Sequence, residues 1–266
     1  MSDEKQSGFS RDSISNTLVV AIGVSLVCSV LVSAAAVVLR PLQEENKTAF
    51  KQRIVLEVAG MYEPETDIAT LFGGIDAQMV ELETGDYAES IDPATFDAGA
   101  AANDSKLSVA VPAEYDIAGV RRRAIYAPVY IVKDGGEIQQ YILPVHGKGL
   151  WSTMRGFLAV EADGKTVRGL RFFEHAETPG LGDQIEKESW LSLWPGREIY
   201  DDQGTPQIRV VRGQVQPGPD AIYQVDGMSG ATLTGNGVTN LIRYWTGPHG
   251  FGPYLARVSS EAKNDG

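Results

Sequence analysis

Residues 226–237 read "DGMSGATLTGNG". They hold no Cys or His, and their one carboxylate, Asp226, stands alone, so neither thiol chemistry nor a carboxylate pair is on offer. What they do supply is Ser229-Gly230-Ala231-Thr232 just ahead of Val238, Leu241, Ile242 and Trp245, apolar residues at i, i+3, i+4 and i+7. That spacing predicts an amphipathic helix near 236–246, with Thr234 or Asn236 as its N-cap. Unpaired N–H groups and the helix dipole at such a start favour a phosphate. Small residues let the backbone approach a ligand, Gly230 can take a positive φ, and the Thr232 hydroxyl can hydrogen-bond a phosphate or be esterified by one. The competing reading is a polar turn that only caps a helix.

Two further loops carry related signals. "HGKGLW", residues 146–151, places Lys148, Gly149, Leu150 and Trp151 after a strand-like run. "ETPGLG", residues 177–182, places Glu177, Thr178, Gly180 and Leu181 after another. Glycines permit backbone contact with a flat heterocycle, while Leu and Trp can cover its faces. Either loop taken alone also reads as an ordinary turn.

The elements that must position these loops follow from periodicity. "IYAPVYIVKDGGEIQQYILPV" (125–145) predicts two strands joined at Asp134-Gly135-Gly136, and "FLAVEADGKTVRGLRFF" (157–173) repeats the design around Asp163-Gly164. "QIRVV" (207–211) predicts another strand. Phe50, Ile54 and Val58 have helical spacing over 44–59 with Gly60 as a stop, and a second helical stretch is expected near 65–79 around Ile68, Leu71 and Phe72. Residues 85–120 predict loops and one short helix. The fold class is α+β, an antiparallel sheet with helices packed against it.

Residues 17–39, "TLVVAIGVSLVCSVLVSAAAVVL", form an uncharged apolar run. At about 1.5 Å per residue it spans roughly 34 Å, enough for a hydrocarbon core of about 30 Å. A cleaved leader competes with a retained anchor, but the run exceeds the usual 7–15 residues or so, and Asp3, Glu4 and Asp12 precede it. Ala21, Ser25, Ser29 and Ser33 line one face with small side chains that let another helix approach. Lys5 and Arg11 precede the run while Arg40, Lys47, Lys51 and Arg53 follow, so a charge count alone puts the C-terminal domain in the cytoplasm. The expected organisation is a tail (1–16), a transmembrane helix (17–39), a helical stalk with an accessory segment (40–120) and a ligand-binding domain (121–266).

A formal charge of −12 argues against a nucleic-acid surface. The one basic cluster, Arg121-Arg122-Arg123, reads as a solvated edge. With Cys28 the single cysteine, an internal disulfide and a cysteine-built metal centre are excluded, and His146, His175 and His249 lack the paired spacing of a metal site.

Taken together, "SLVCSVLVSAAAVVLR", "ILPVHGKGLW", "ETPGLG", "DGMSGATLT" and the late "GFGP" resemble, in order and over nearly the whole chain, the C subunits of bacterial sodium-translocating NADH:quinone oxidoreductases, within the FMN-binding domain family. The resemblance implies FMN held covalently through its phosphate on the last residue of Ser-Gly-Ala-Thr, here Thr232, and installed from FAD by a separate flavin transferase. Asp226, Ser229, Gly230 and Ala231 then belong to the attachment motif, Thr234 has a supporting role, and Gly235 departs from a serine more usual there. Lys148, from its place between two loop glycines, is expected to lie near the ring and stabilise negative charge on reduced flavin.

The resemblance further implies a single-pass inner-membrane subunit with its FMN domain on the periplasmic side, against the charge count. It would relay electrons among other subunits of a complex that oxidises NADH, reduces ubiquinone and exports sodium ions, and would not catalyse alone. One alternative is the equivalent covalent-FMN subunit of the complex coupling ferredoxin and NAD. Another is a flavin-free, membrane-tethered assembly module.

Overall fold

The computed structural model describes residues 14–264, which excludes most of the tail expected over 1–16. The chain divides into two compact units, one up to Phe50 and one from Lys51. Helix α1 (Ile14–Val58) runs through both, with Pro41 inside it. Its apolar window has a mean hydropathy of 2.6 and no buried residue, so by length and composition it can cross a membrane. The expected stalk helix is thus the continuation of the apolar one, and it stops as expected, with Gly60 at φ 71°.

In the second unit, α2 (Ile68–Phe72) is followed by β1 (Asp76–Glu81). This corrects the helix expected over 65–79. The amides of Gly73 and Gly74 close α2 onto the carbonyls of Ala69 and Leu71, and the next residues gain more by pairing with a strand than by extending one turn of helix. The short helix expected within 85–120 is α3 (Ala98–Asn103), capped by the Asp97 carboxylate on the amides of Gly99 and Ala100.

Strand β2 (Ser108–Ala110) pairs with β3 (Arg122–Ala124), and the solvated reading of the arginine cluster fails at Arg123. Arg122 donates to Ser108, and Arg123 is buried with its guanidinium on the Ala124 carbonyl. Arg121 and Arg122 are exposed, as expected, and only Arg123 departs from the expectation. Arg121 also takes a left-handed backbone conformation. Its φ of 64° is held by the Asp116 carboxylate on its amide.

Strands β4 (Tyr126–Asp134), β5 (Glu137–Lys148), β6 (Thr153–Glu161) and β7 (Val167–Glu174) follow, turning where the sequence predicts. The main sheet has the order β1-β4-β5-β6-β7 and is antiparallel throughout. Beyond it lie α4 (Glu188–Leu191), β8 (Arg209–Val210) and β9 (Gln224–Val225). The strand expected over 207–211 shrinks to those two residues of β8, because its partner β9 is equally short. Helix α5 (Thr232–Thr246) and an unexpected α6 (Gly252–Asn264) complete the chain.

Alternation along the strands makes two cores. Leu143, Leu158 and Leu170 face Val238, Leu241, Trp245 and Tyr254 of α5 and α6. Their neighbours Ile142, Phe157 and Ala159 face Ile54, Val55, Leu56 and Val58, the end of α1. The sheet is therefore covered on both sides, and the α+β expectation holds.

Gly85, at φ 80° in the turn after β1, packs against α6 so closely that a Cβ would lie 2.6 Å from the Pro253 carbonyl carbon and the Tyr254 nitrogen. Gly85→Ala should destabilise the chain by about 2 kcal/mol or more, through overpacking and left-handed strain together. Thermal unfolding of the detergent-solubilised chain checks this; an unchanged midpoint contradicts it.

Candidate functional site

Helix α5 starts four residues earlier than the sequence suggests. Ala231 occupies the N-cap without a side-chain cap, and Thr232 is the first helical residue. Neither expected cap serves, because the Thr234 hydroxyl is engaged elsewhere and Asn236 lies inside the helix. The first-turn N–H groups are thus open to a ligand. Upstream, Gly230 takes a φ of 74°, and Ala231 donates its amide to the Met228 carbonyl at 3.2 Å. Asp226 braces the base of this loop, its carboxylate accepting from the Val215 amide at 2.7 Å and its carbonyl from Trp190 Nε1 at 2.9 Å.

The carboxylate of Glu177, 4% exposed, ties three segments together. Oε2 accepts from Thr234 Oγ1 at 2.5 Å, and Oε1 from the Trp151 amide at 3.2 Å. Trp151 Nε1 in turn donates to Thr178 Oγ1 at 2.9 Å. Glycines create the room, since a Cβ on Gly182 would lie 2.8 Å from both Glu177 Cβ and Thr234 Oγ1, and one on Gly149 would crowd the Glu177 carboxylate. A Cβ on Gly230 would lie 2.8 Å from Leu181 Cδ2, so the second loop closes on the tetrapeptide. Gln184 Nε2 adds a link, donating to the carbonyls of Leu181 at 2.8 Å and Ser229 at 3.3 Å.

The three sequence-predicted loops are therefore one assembly. Its surface carries Leu150 (40% exposed), Trp151 (69%) and Leu181 (44%), an apolar lip beside exposed Thr232. The stem of Lys148 lies against Gly119, and no hydrogen bond or ion pair of its ammonium is seen among the described residues.

A pocket of about 430 Å³ shares Ser229, Gly230, Ala231 and Thr232 with this assembly but none of the lip residues. Its polar walls include Arg212, Gln214 and Asn236, which sequence reasoning missed. Asn236 was within reach, being one helical turn from Thr232. Arg212 was not, because only the β8–β9 pairing brings it there.

His146 is no ligand candidate. Its carbonyl accepts from Trp245 Nε1 at 2.6 Å and its ring sits 4.8 Å from that indole. Burial, with the Arg155 charge second, pushes its pKa down from 6.5 to about 4. No cluster of three metal-ligating side chains occurs among the described residues.

The model of the FMN-binding domain family matches residues 149–247, the span from the Trp151 loop to the end of α5. The chain is 45% identical to the C subunit of the Na+-translocating NADH-quinone reductase of Yersinia pestis, over 96% of this chain and 97% of that one. It is 47% identical to the corresponding C subunit of Vibrio alginolyticus, over 93% and 96%. Among solved structures, the crystal structure of Shewanella oneidensis NqrC superposes with a TM-score of 0.73 at 35% identity, covering 79% of this chain and 96% of that one.

The His146 shift predicts a pH dependence. Between about pH 6.5 and about pH 4 the unfolded chain binds a proton that the folded chain resists, so stability falls as pH drops through that window, by roughly 3 kcal/mol in all. Unfolding midpoints measured from pH 7 to pH 4 should decline less steeply in His146→Gln than in the wild type. Equal slopes contradict the assignment.

Proposed function

The chain belongs to the family of NqrC-type C subunits of Na+-translocating NADH-quinone reductases, and we propose that it is the electron-relay subunit of such a complex, carrying FMN esterified to Thr232. The observation that carries this reading is the placement of Thr232: an exposed hydroxyl on the first residue of an uncapped helix, next to an apolar lip. The donor set fits FMN. The open N–H groups and dipole of α5 would hold the phosphate, and Arg212 and Asn236, lining the pocket beside Thr232, would meet its oxygens.

Leu150, Trp151 and Leu181, exposed together, would cover the ring and exclude water from one face. Glu177 holds the loops that present them, and Thr178 accepts from the Trp151 indole Nε1 and restrains that ring. When bound, FMN supplies the electron transfer, and the protein supplies orientation and electrostatics. NADH oxidation, ubiquinone reduction and sodium export then belong to the complex as a whole, with this chain between its other redox centres.

Helix α1 acts as a single-pass anchor in the bacterial inner membrane, with the face of Ala21, Ser25, Ser29 and Ser33 turned to neighbouring subunits. The FMN domain lies on the periplasmic side, where a flavin transferase loads it. Relatives matching over more than nine-tenths of the chain favour this complex over the one coupling ferredoxin and NAD.

Intact mass and in-gel flavin fluorescence of the denatured chain, co-produced with a flavin transferase, test the attachment. The wild type and Thr234→Ala should carry an FMN-sized increment, and Thr232→Ala should carry none. An unmodified wild type, or a labelled Thr232→Ala, overturns the reading.

A further inference from the structure

His175 follows β7 immediately and leads into the 177–182 loop. Its side chain is 9% exposed, and its two ring nitrogens face different partners. Nδ1 accepts the amide N–H of Glu177 at 3.1 Å. A ring nitrogen that accepts carries no proton, so the neutral ring holds its proton on Nε2. Nε2 in turn lies 2.8 Å from Glu186 Oε1, at the end of the 3₁₀ turn Gly182–Glu186, though off the line of a hydrogen bond.

The amide before it is held too, Ala176 donating to Ser152 Oγ at 2.9 Å. Successive amides of the incoming chain are thus pinned, Ala176 by Ser152 of the neighbouring segment and Glu177 by His175 of its own. The Glu177 carboxylate, riding on this backbone, has a short bond to Thr234 and a longer one to the Trp151 amide. Displacing Glu177 costs the longer bond first, and with it the placement of Trp151.

We propose that His175, as its Nε2-protonated tautomer, is a positioning residue that sets the Glu177 carboxylate and, through it, the Trp151 face of the flavin site. The proposal rests on the flavin reading above for its consequence. The hydrogen bond itself is independent of that reading. His175 touches no reacting atom; it acts by denying the loop the freedom to swing Trp151 away from the ring.

Two substitutions separate this from a merely structural role. In His175→Asn the amide oxygen can occupy the position of Nδ1 and keep the acceptor. In His175→Gln the longer side chain reaches toward Glu186 and leaves the Glu177 amide unpaired. The full chain, loaded by the transferase in each variant, is compared in its native state for flavin fluorescence, which a nearby indole quenches, for midpoint potential, and for hydrogen exchange of the Glu177 amide.

His175→Gln should show brighter native fluorescence, a shifted potential and about fivefold faster exchange at Glu177, the worth of one net hydrogen bond. His175→Asn should match the wild type. A wild-type-like His175→Gln, or a His175→Asn that fails in the same way, overturns the proposal. Should His175→Gln not fold, ¹⁵N spectra of the histidine-labelled wild type near neutral pH decide the matter: a proton on Nε2 supports the proposal and one on Nδ1 overturns it. A wild type without flavin defeats the functional reading instead, while the exchange and ¹⁵N measurements still report on His175 alone.

Discussion

A carboxylate buried away from water is costly unless hydrogen bonds replace its hydration. Glu177 meets that constraint by accepting from Thr234 on α5 and from the amide of Trp151 on the β5–β6 connection. The same two bonds, with the Trp151–Thr178 and Gln184–Ser229 links beside them, make three separate segments into one site. They also dictate composition, since Gly149 and Gly182 must lack a Cβ for the carboxylate to fit between them. Removing the Glu177 side chain would orphan a hydroxyl and an amide inside the protein and free both loops together.

The sheet makes this convergence possible. Long antiparallel pairings bring the end of β5 and the start of β6 beside the end of β7, so the loops at 149–152 and 175–182 emerge side by side. On that face of the sheet, Val238, Leu241 and Ile242 bury α5 and fix the height of its first turn. On the other, the last turns of α1 cover Ile142 and Phe157. The Gln140 amide, donating to the Ala59 carbonyl at 2.9 Å, ties the end of that helix to β5. The last turns of α1 are thereby part of the folded domain.

Much of this was legible in the sequence where local chemistry decides the outcome. The hairpin turns at Gly135-Gly136 and Gly164 have the positive φ their composition demands, and the period of Val238, Leu241, Ile242 and Trp245 gave α5 its buried face. Legibility failed where distant partners decide. Residues 76–79 read as the end of a helix in isolation and become part of β1 because β4 offers an edge. Arg123 looks solvated and is buried by the pairing of β2 with β3. The start of α5 was misjudged because the Thr234 hydroxyl, an obvious cap, is claimed by a carboxylate 57 residues away. Arg212 gave no signal at all, since nothing in its own neighbourhood reveals that it lines the pocket of Thr232.

A structure of the flavinylated chain tests the central claim most directly, because the site has two sides and only one carries the lip. The account places the isoalloxazine against Trp151 and Leu181, with the phosphate ester on Thr232 meeting the open amides of α5. A ring lodged instead in the pocket beside Arg212, with Trp151 uncovered, would contradict it.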